Sequence, residues 1–596
     1  MAEYKAPIDD MKFIANEVFK TSELWSTLPL YSEVDQDTAD AILEESARIN
    51  QDMVSPNFRS ADEEGCHFND GEVTTPKGYK EAYNALMEGG WIGLGGNPEF
   101  GGMGMPKTLS VFFEEMISAA DNSFSLYSCL TAGAALLLDS HASEEIKSYY
   151  LPKMYSGEWG GTMCLTEPHA GTDLGIIRTK ADPQADGSYS ITGTKIFISS
   201  GEHDLTENII HLVLAKLPDA PEGSRGISLF LVPKFHSDEG YELGERNGVS
   251  CGSIEHKMGI KGSATCVMNF DSAKGYLIGE VNKGLPAMFT MMNYERISTG
   301  LQGIGCAQRS YQHACEYALE RLQSRAATGA ENADAKADPI IVHADVRRML
   351  MNMRSLVEGG RALMVYVASQ LDTAKASEDA EAKAYAQSMV ELLTPVAKAF
   401  FSDMGLEVTV TGQQVFGGHG YVREWGMEQL VRDVRIVQIY EGTNGIQAMD
   451  LIGRKVLRDG GKNMALFLKE VRDYIDDAGL EDELTNPLSA AISRLERFTE
   501  IALERGKESP NAPGSMAVDY LHVTGYVCYG YMWLKMAEAA KAALEAGAQN
   551  TAFYEAKLAT ARYYMERVLP RVESLVSMGV SDENLLYALD ESVFAS

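Results

Sequence analysis

Residues 189–199 read YSITGTKIFIS, a stretch rich in β-branched and aromatic residues. Residues 209–217 (IIHLVLAKL), 226–233 (GISLFLVP) and 264–270 (ATCVMNF) have the same character, and turn-forming residues separate them. Short runs of this kind, bounded by turn residues, are typical of β-strands. The sequence therefore predicts a small, mainly antiparallel β domain over residues 159–281.

Helical periodicity flanks this β domain on both sides. Before it, residues 39–52 and 108–117 carry apolar side chains three and four positions apart. After it, residues 346–357 and 389–401 show the same spacing. Apolar residues at that spacing indicate helices with one buried face. Helices, a β insert and helices again predict an α+β fold.

The changes of pattern also predict several domains, as a chain of 596 residues requires. They are an N-terminal α-helical domain (1–158), the middle β domain (159–281), a C-terminal helical bundle (282–458) and an additional C-terminal helical domain (459–596).

Composition excludes several classes of protein. The chain has 52 Lys and Arg against 85 Asp and Glu, a formal net charge of −33. Such a surface repels phosphate backbones and anionic headgroups, so we expect no nucleic-acid or membrane partner. No basic segment followed by an apolar run is visible at the start, and we expect a cytoplasmic protein. The eight cysteines show no CxxC and no Cys/His spacing for zinc, so no metal site is predicted.

Three segments, in a fixed order along the chain, carry recognisable signatures. They are Met163–Asp173 (MCLTEPHAGTD), Tyr317–Arg321 (YALER) with Gln323, and Gln414–Tyr421 (QVFGGHGY) followed by Arg432-Asp433 and Ile439–Thr443 (IYEGT). Together they resemble the acyl-CoA dehydrogenase family over about residues 80–455. The resemblance implies N-terminal helices, a β domain and a four-helix C-terminal bundle, with bound FAD.

Oxidising a saturated thioester across Cα–Cβ needs a base for the α proton and a cofactor to accept the β hydride. A carboxylate becomes basic enough when it is desolvated. Glu441 follows the apolar segment 436–440 and precedes Gly442, and the resemblance implies that it is the catalytic base. In some relatives the base comes from an earlier helix, at a position that Glu295 occupies here, so Glu295 is the alternative.

The resemblance also implies the cofactor site, residue by residue. Met163, Leu165 and Thr166 match a stretch on the flavin ring, and Phe197, Ile198 and Ser199 match a triplet packed on its other side. The residues expected at the diphosphate and adenosine of FAD are Arg321, Gln323, Gln414, Gly417, Gly418 and Thr443. The residues expected at the acyl-CoA are Thr172, Arg296, Tyr440 and Gly442.

Because family members build the FAD site from two chains, we expect a homodimer or a dimer of dimers, with electron-transfer flavoprotein or a similar acceptor. Residues 257–271 (KMGIKGSATCVMNFD) and the C-terminal extension resemble members that convert 3-(methylthio)propanoyl-CoA to 3-(methylthio)acryloyl-CoA in dimethylsulfoniopropionate breakdown. The alternatives are a medium- or long-chain fatty acyl-CoA dehydrogenase, an acyl-CoA oxidase and a non-catalytic DNA-binding relative. The charge of −33 and an intact Glu441 argue against the DNA-binding relative.

Overall fold

A computed structural model describes residues 3–595, which divide into two compact units. The sheet unit comprises Glu3–Ala6 and Ala41–Ser298, and the helical unit comprises Pro7–Asp40 and residues 299–595. Within residues 3–595, every helix is too short or too polar to cross a membrane. The division into four domains that the sequence predicts remains a prediction.

The α-helices follow one another along most of the chain. Those of the N-terminal part are α1 (Ile8–Lys12), α2 (Thr21–Ser26), α3 (Gln36–Ile49), α4 (Phe58–Glu64), α5 (Tyr79–Glu88), α6 (Lys107–Ala120), α7 (Asn122–His141) and α8 (Glu144–Tyr155). Those after the sheet are α9 (Gly284–Glu320), α10 (Ala344–Ala376), α11 (Ala380–Val415), α12 (Met427–Arg435), α13 (Asn444–Met449), α14 (Lys462–Asp477), α15 (Asp482–Glu508), α16 (Ala512–Glu545), α17 (Thr551–Tyr563) and α18 (Arg571–Gly579).

The strands form one large sheet and two small hairpins. They are β1 (His67–Asn69), β2 (Glu72–Thr74), β3 (Trp159–Cys164), β4 (Lys180–Pro183), β5 (Tyr189–Ser199), β6 (Asn208–Lys216), β7 (Ile227–Pro233), β8 (Phe235–Ser237), β9 (Leu243–Arg246), β10 (Val249–Ile254) and β11 (Thr265–Ile278). The large sheet has the order β10-β11-β5-β4-β6-β3, and β7 pairs with both β11 and β6. Its ladders are antiparallel except where β6 pairs with β3 and β4, which confirms the mainly antiparallel domain.

The β1–β2 hairpin lies where the sequence pattern predicts only helices. Its two-residue turn is Asp70-Gly71, and both residues have positive φ (46° and 87°). An Asp-Gly pair is the residue choice for such a turn, because its twist matches that of the flanking strands. The three-residue strands are too short to show a β alternation in the sequence.

The large sheet is buried on both faces at β6 and β7, whereas β4, β5 and β10 include exposed residues. Leu212 and Leu214 of β6 point into a core cluster with Leu137 and Leu138 of α7, whereas Val213 points to the opposite cluster. Side chains alternate between faces along a strand, so a strand covered on both sides is apolar throughout. This explains why IIHLVLA lacks polar alternation. The buried strands β6 and β7 thus join the two core clusters on either side of the sheet.

In the helical unit, α16 packs directly against α10 and α11. A Cβ atom at Gly525 of α16 would lie 2.3 Å from Cγ of Phe400, so glycine permits the close approach. Trp533 of α16 is buried and donates a hydrogen bond from Nε1 to the carbonyl oxygen of Ser355, at 2.9 Å. The C-terminal extension thus shares a core with the bundle helices.

A buried charge cluster ties the N-terminal helix α1 into the same unit. Asp10 accepts hydrogen bonds from both Lys557 of α17 and Arg361 of α10. Lys557 also donates to Glu358 at 2.8 Å, and Arg361 donates to Gln308 at 2.7 Å. Charges are rarely buried unless they are paired in this way. Burial opposes ionisation of Asp10, but the two cations hold the pKa of its carboxyl below the usual range.

Candidate active site

In the sheet unit, the two groups of residues predicted for the flavin ring lie side by side. Met163 is in β3 and half-buried, Leu165 is buried, and Thr166 follows the strand. The carbonyl oxygen of Thr166 accepts a hydrogen bond from the backbone N–H of Ile196, at 2.9 Å. This bond joins the end of β3 to the end of β5, where Phe197 begins the second group.

Phe197 has an unusual conformation for a residue in a sheet. Its φ is +58°, and its side chain is 60% exposed, whereas the next residue, Ile198, is buried. Ser199 pairs with Thr265 of β11. A positive φ is uncommon outside glycine, and backbone strain concentrates at functional sites. The exposed aromatic ring at the strand end suits packing against a planar ligand.

A buried ion pair that the sequence analysis missed supports these strand ends. Lys195 Nζ lies 2.9 Å from Oε1 of Glu167 and donates a further hydrogen bond to the carbonyl oxygen of Leu165, at 3.0 Å. Glu167 also accepts from the hydroxyl of Thr179 at 2.6 Å. Burial opposes ionisation, but Lys195 and these hydrogen bonds lower the pKa of Glu167. The only sequence signal was a glutamate inside the first signature.

Glu295, the alternative base, lies on α9 in the sheet unit and is buried. The thiol of Cys129 donates to its Oε2 at 3.0 Å. A Cβ at Gly133 would lie 2.5 Å from its Oε1. Burial, together with the Glu295 carboxylate, raises the pKa of the Cys129 thiol well above its usual value. Glu295 is thus closely packed against α7.

Two residues predicted for the acyl-CoA also belong to the sheet unit. Thr172 is exposed in the loop after β3, where the side chain of Asp173 accepts from the N–H of Gly175 at 2.9 Å. Arg296 is half-buried on α9 and donates from Nη1 to Oδ1 of Asn293 at 3.2 Å.

In the helical unit, Arg321 and Gln323 lie exposed just beyond the end of α9. The carbonyl oxygen of Arg321 accepts from Ile340 N–H at 2.8 Å, and the N–H of Gln323 donates to the carbonyl oxygen of Asp338 at 3.0 Å. Asp338 is fully buried, and backbone N–H groups, first that of Ala326, lower the pKa of its carboxyl. The backbone that carries the arginine is therefore fixed.

The predicted diphosphate site has two parts, one with Arg321 and Gln323 and one with Gln414, Gly417 and Gly418. Aromatic contacts bring the second part next to the first. Tyr317 of α9 stacks on Phe416, with ring centroids 4.1 Å apart, and its hydroxyl lies 2.9 Å from Nδ1 of His419. Gly417 and Gly418 follow Phe416 and are exposed, as is Gln414. A Cβ at either glycine would meet no atom of the described residues within 4 Å.

These two parts together, called here the diphosphate half-site, present groups that fit a diphosphate. Arginine donates in a planar fork, and exposed glycines let backbone N–H groups approach phosphate oxygens closely. Thr443 is exposed at the start of α13 in the same unit. The donors expected at the FAD phosphates are thus exposed residues of the helical unit.

The loop that carries Glu441 is held in an unusual conformation. Glu441 has a φ of +56° and Gly442 a φ of +85°. Gln447 Nε2 donates to the carbonyl oxygen of Glu441 at 3.3 Å, and a Cβ at Gly442 would lie 2.6 Å from that nitrogen. Tyr440 donates from its hydroxyl to Oε1 of Gln302. The half-buried carboxylate thus stands on a backbone with little freedom.

Sequence models of one enzyme family match nearly the whole chain. The acyl-CoA dehydrogenase N-terminal, middle and C-terminal domain models match residues 36–158, 162–273 and 282–457. A model described as acetyl-CoA dehydrogenase C-terminal like matches residues 467–590.

Individual relatives agree with these matches. The 3-methylmercaptopropionyl-CoA dehydrogenase of Ruegeria pomeroyi is 44% identical over 95% of this chain and 96% of its own. A butyryl-CoA dehydrogenase of Syntrophomonas wolfei is 36% identical over 99% of each chain. The acyl-CoA dehydrogenase of Bacillus anthracis complexed with FAD has the same fold, with a TM-score of 0.74 at 21% identity, covering 96% of this chain and 92% of that one.

The chain belongs to the acyl-CoA dehydrogenase family. It is an FAD-dependent oxidoreductase that acts on acyl-CoA thioesters. The predicted family, fold class and cofactor are confirmed. The roles of individual site residues remain predictions.

Proposed function

We propose that this enzyme oxidises 3-(methylthio)propanoyl-CoA to 3-(methylthio)acryloyl-CoA in the breakdown of dimethylsulfoniopropionate. The observation that carries the proposal is the 44% identity to the Ruegeria pomeroyi enzyme over nearly the full length of both chains. That identity includes the C-terminal extension, because the match covers 95% of this chain.

Glu441 removes the α proton in this proposal. Departure of the proton leaves the electron pair that forms the new Cα=Cβ bond as the hydride leaves Cβ. Bound FAD supplies the acceptor for that hydride. A filled site excludes water from the half-buried Glu441, which raises the basicity of its carboxylate. Glu295 is the weaker candidate, because Cys129 and Gly133 pack closely against its carboxylate.

The remaining predicted site residues are proposed to bind and orient the cofactor and the substrate. Met163, Leu165 and Thr166 are proposed for one side of the flavin, and Phe197, Ile198 and Ser199 for the other. Arg321, Gln323, Gln414, Gly417, Gly418 and Thr443 are proposed for the diphosphate and adenosine. Thr172, Arg296, Tyr440 and Gly442 are proposed for the acyl-CoA. Of these, Gly442 has the clearest structural reason, since only glycine fits its φ and its neighbour Gln447.

The assembly and the acceptor belong to the same proposal. We infer a homodimer or a dimer of dimers in the cytoplasm, with the diphosphate half-site of one copy serving the cofactor of its partner. Electrons then pass to electron-transfer flavoprotein or a similar acceptor. Light scattering of the yellow protein tests the assembly, and a monomer that retains FAD and activity would contradict it.

A turnover panel tests the substrate. The purified enzyme is given 3-(methylthio)propanoyl-CoA, butyryl-CoA, octanoyl-CoA and palmitoyl-CoA with an artificial electron acceptor. We expect the highest kcat/KM for the methylthio substrate. A higher kcat/KM for any straight chain would contradict the proposal, and parallel assays with oxygen as sole acceptor would identify an oxidase.

A short straight-chain acyl-CoA is the second candidate substrate. The butyryl-CoA dehydrogenase of Syntrophomonas wolfei matches 99% of this chain, including its C-terminal extension, at 36% identity. Butyryl-CoA and the methylthio substrate have acyl chains of similar length, so discrimination between them by an apolar pocket is expected to be only about 10–200-fold. Competition between the two substrates in one assay measures that ratio directly.

A further inference from the structure

Asp403 of α11 lies at the centre of a hydrogen-bond network around the loop that carries Glu441. Its Oδ1 accepts from Nε2 of Gln438 at 2.6 Å and from Nδ2 of Asn444 at 2.6 Å. Gln438 is three residues before Glu441, and Asn444 is three residues after it. One carboxylate oxygen therefore ties both ends of a seven-residue segment with Glu441 at its middle.

The orientation of Asn444 is fixed by a second buried side chain. Lys398 is fully buried and donates from Nζ to Oδ1 of Asn444 at 2.8 Å. Lysine can only donate, so the oxygen of the Asn444 amide faces Lys398 and its NH2 group faces Asp403. Asn444 Nδ2 also donates to the carbonyl oxygen of Ala399 at 3.1 Å. The attachment of the loop to α11 is specific in direction as well as in place.

The other oxygen of Asp403 reaches the C-terminal extension. Nε2 of His522, on α16, lies 2.8 Å from Oδ2 of Asp403. Burial opposes ionisation, but the hydrogen bonds from His522, Gln438 and Asn444 hold the pKa of Asp403 below its usual range. An ionised carboxylate accepts and does not donate, so Nε2 of His522 carries the proton. A chain of direct contacts thus runs from α16 to both ends of the Glu441 loop.

The loop needs such support. Glu441 has a φ of +56°, and a non-glycine residue in that region persists only when its surroundings hold it there. A general base also requires close placement, since a displacement of about 1 Å can cost about 100-fold in rate. We propose that Asp403 and His522 are positioning residues for Glu441, so that the C-terminal extension takes part in catalysis without touching the substrate. This inference rests on the proposed role of Glu441 as base.

The test uses the full-length protein with bound FAD. Asp403→Asn removes the charge at nearly constant volume, and His522→Phe removes the donor of α16. We expect both variants to keep the FAD content and the Kd for a non-reactive acyl-CoA analogue, while anaerobic bleaching of the flavin by substrate slows by about 10–100-fold. An α-deuterated substrate should slow bleaching by a larger factor than in the unmodified enzyme, because proton removal becomes more rate-limiting.

A matched control separates positioning from general support. Arg571 of α18 donates to Oε2 of Glu407 at 2.9 Å and to its Oε1 at 2.8 Å, and Glu407 lies one turn beyond Asp403 on α11. Arg571→Gln breaks this second link between α11 and the extension. We expect its bleaching rate to stay within about twofold of the unmodified enzyme. A loss as large as that of His522→Phe would overturn the proposal.

Three further comparisons distinguish the ways of failing. If Glu441→Gln leaves bleaching intact, the base is elsewhere, and both the proposed function of Glu441 and this inference fail. If Glu441→Gln abolishes bleaching while Asp403→Asn and His522→Phe bleach normally, only the positioning role fails. Should Asp403→Asn not fold, Gln438→Met removes one attachment from the loop side, and normal bleaching in that variant also overturns the inference.

Discussion

Tyr317 and Phe416 stack face to face with ring centroids 4.1 Å apart, although almost 100 residues separate them. Tyr317 lies four residues before Arg321, and Phe416 immediately precedes Gly417. The stack thus joins the two signature segments whose residues are proposed to bind the diphosphate of FAD. The geometry of that half-site depends on the contact.

The stack leads to a prediction about FAD binding. Tyr317→Ala removes an aromatic pair worth about 0.5–1.5 kcal/mol beyond its buried area and lets the glycine loop move. We expect the Kd for FAD to rise about tenfold or more, measured by fluorescence titration of the FAD-stripped protein. Tyr317→Phe keeps the stack and loses only the contact with His419, so its affinity should change less. An equal rise in the Kd for FAD in both variants would show instead that the hydroxyl of Tyr317, and not the stack, supports FAD binding.

The base assignment predicts a second outcome. Glu441→Gln keeps the shape of the side chain but cannot accept a proton at neutral pH. Anaerobic stopped-flow bleaching should slow by about 10²–10⁴-fold while FAD and acyl-CoA still bind. The bleaching rate of Glu441→Asp should lie between those of Glu441→Gln and the unmodified enzyme, because the carboxylate is withdrawn by one methylene. Glu295→Gln should be far milder, and a loss of bleaching there with normal bleaching in Glu441→Gln would show that Glu295 is the base.

Gly442 gives a third prediction, about backbone conformation. Gly442→Ala places a Cβ at a φ of +85° and 2.6 Å from Nε2 of Gln447, so the loop must shift. We expect a loss of about 1–3 kcal/mol in the free energy of unfolding together with slower flavin bleaching. Gly445→Ala is the control, since a Cβ there meets no described atom within 4 Å. Chemical denaturation and bleaching of both variants check this.

The buried pair of Lys195 and Glu167 gives a fourth prediction. Lys195→Met leaves a buried carboxylate without its cation, which should lower the free energy of unfolding by about 3–5 kcal/mol. In the same sheet unit, Lys274 and Asp186 are separated by a similar distance, 2.8 Å, but are exposed. Lys274→Met should therefore cost only about 0–1 kcal/mol. Urea denaturation of the two variants measures the difference, and equal losses would contradict the argument.

Asp10 gives a fifth prediction, about the stability of the protein at low pH. Its pKa is lower in the folded protein than in the unfolded chain, so its contribution to stability is present above the unfolded pKa of about 3.9. That contribution is lost as the pH falls through the folded pKa. The Asp10→Asn variant should therefore have a Tm well below that of the unmodified protein at pH 7. The difference in Tm between the two proteins should narrow below about pH 4. A gap independent of pH would exclude this linkage.

Local physical chemistry accounts for what could be predicted from the sequence. Apolar spacing predicts helices and strands because the two periods differ, and this was enough for the α+β fold and the order of its elements. The three signatures were enough for the family and for FAD. The β1–β2 hairpin was not predicted, because its three-residue strands are too short to show the alternation of apolar residues typical of a strand. Asp70-Gly71 is nevertheless a turn signal.

The supporting contacts could not be predicted in the same way. Lys195 with Glu167, and His522 with Asp403, are pairs whose members lie 28 and 119 residues apart along the chain. A charged residue in a sequence is most often exposed, and nothing in its neighbours shows that another segment will bury and pair it. The amino-acid sequence by itself thus determined the family, the fold class and the cofactor, and it named the residues proposed to carry the chemistry, because their types and local spacing are fixed by it. Only the tertiary structure decided which distant side chains hold them in place, because burial and pairing depend on how the segments pack.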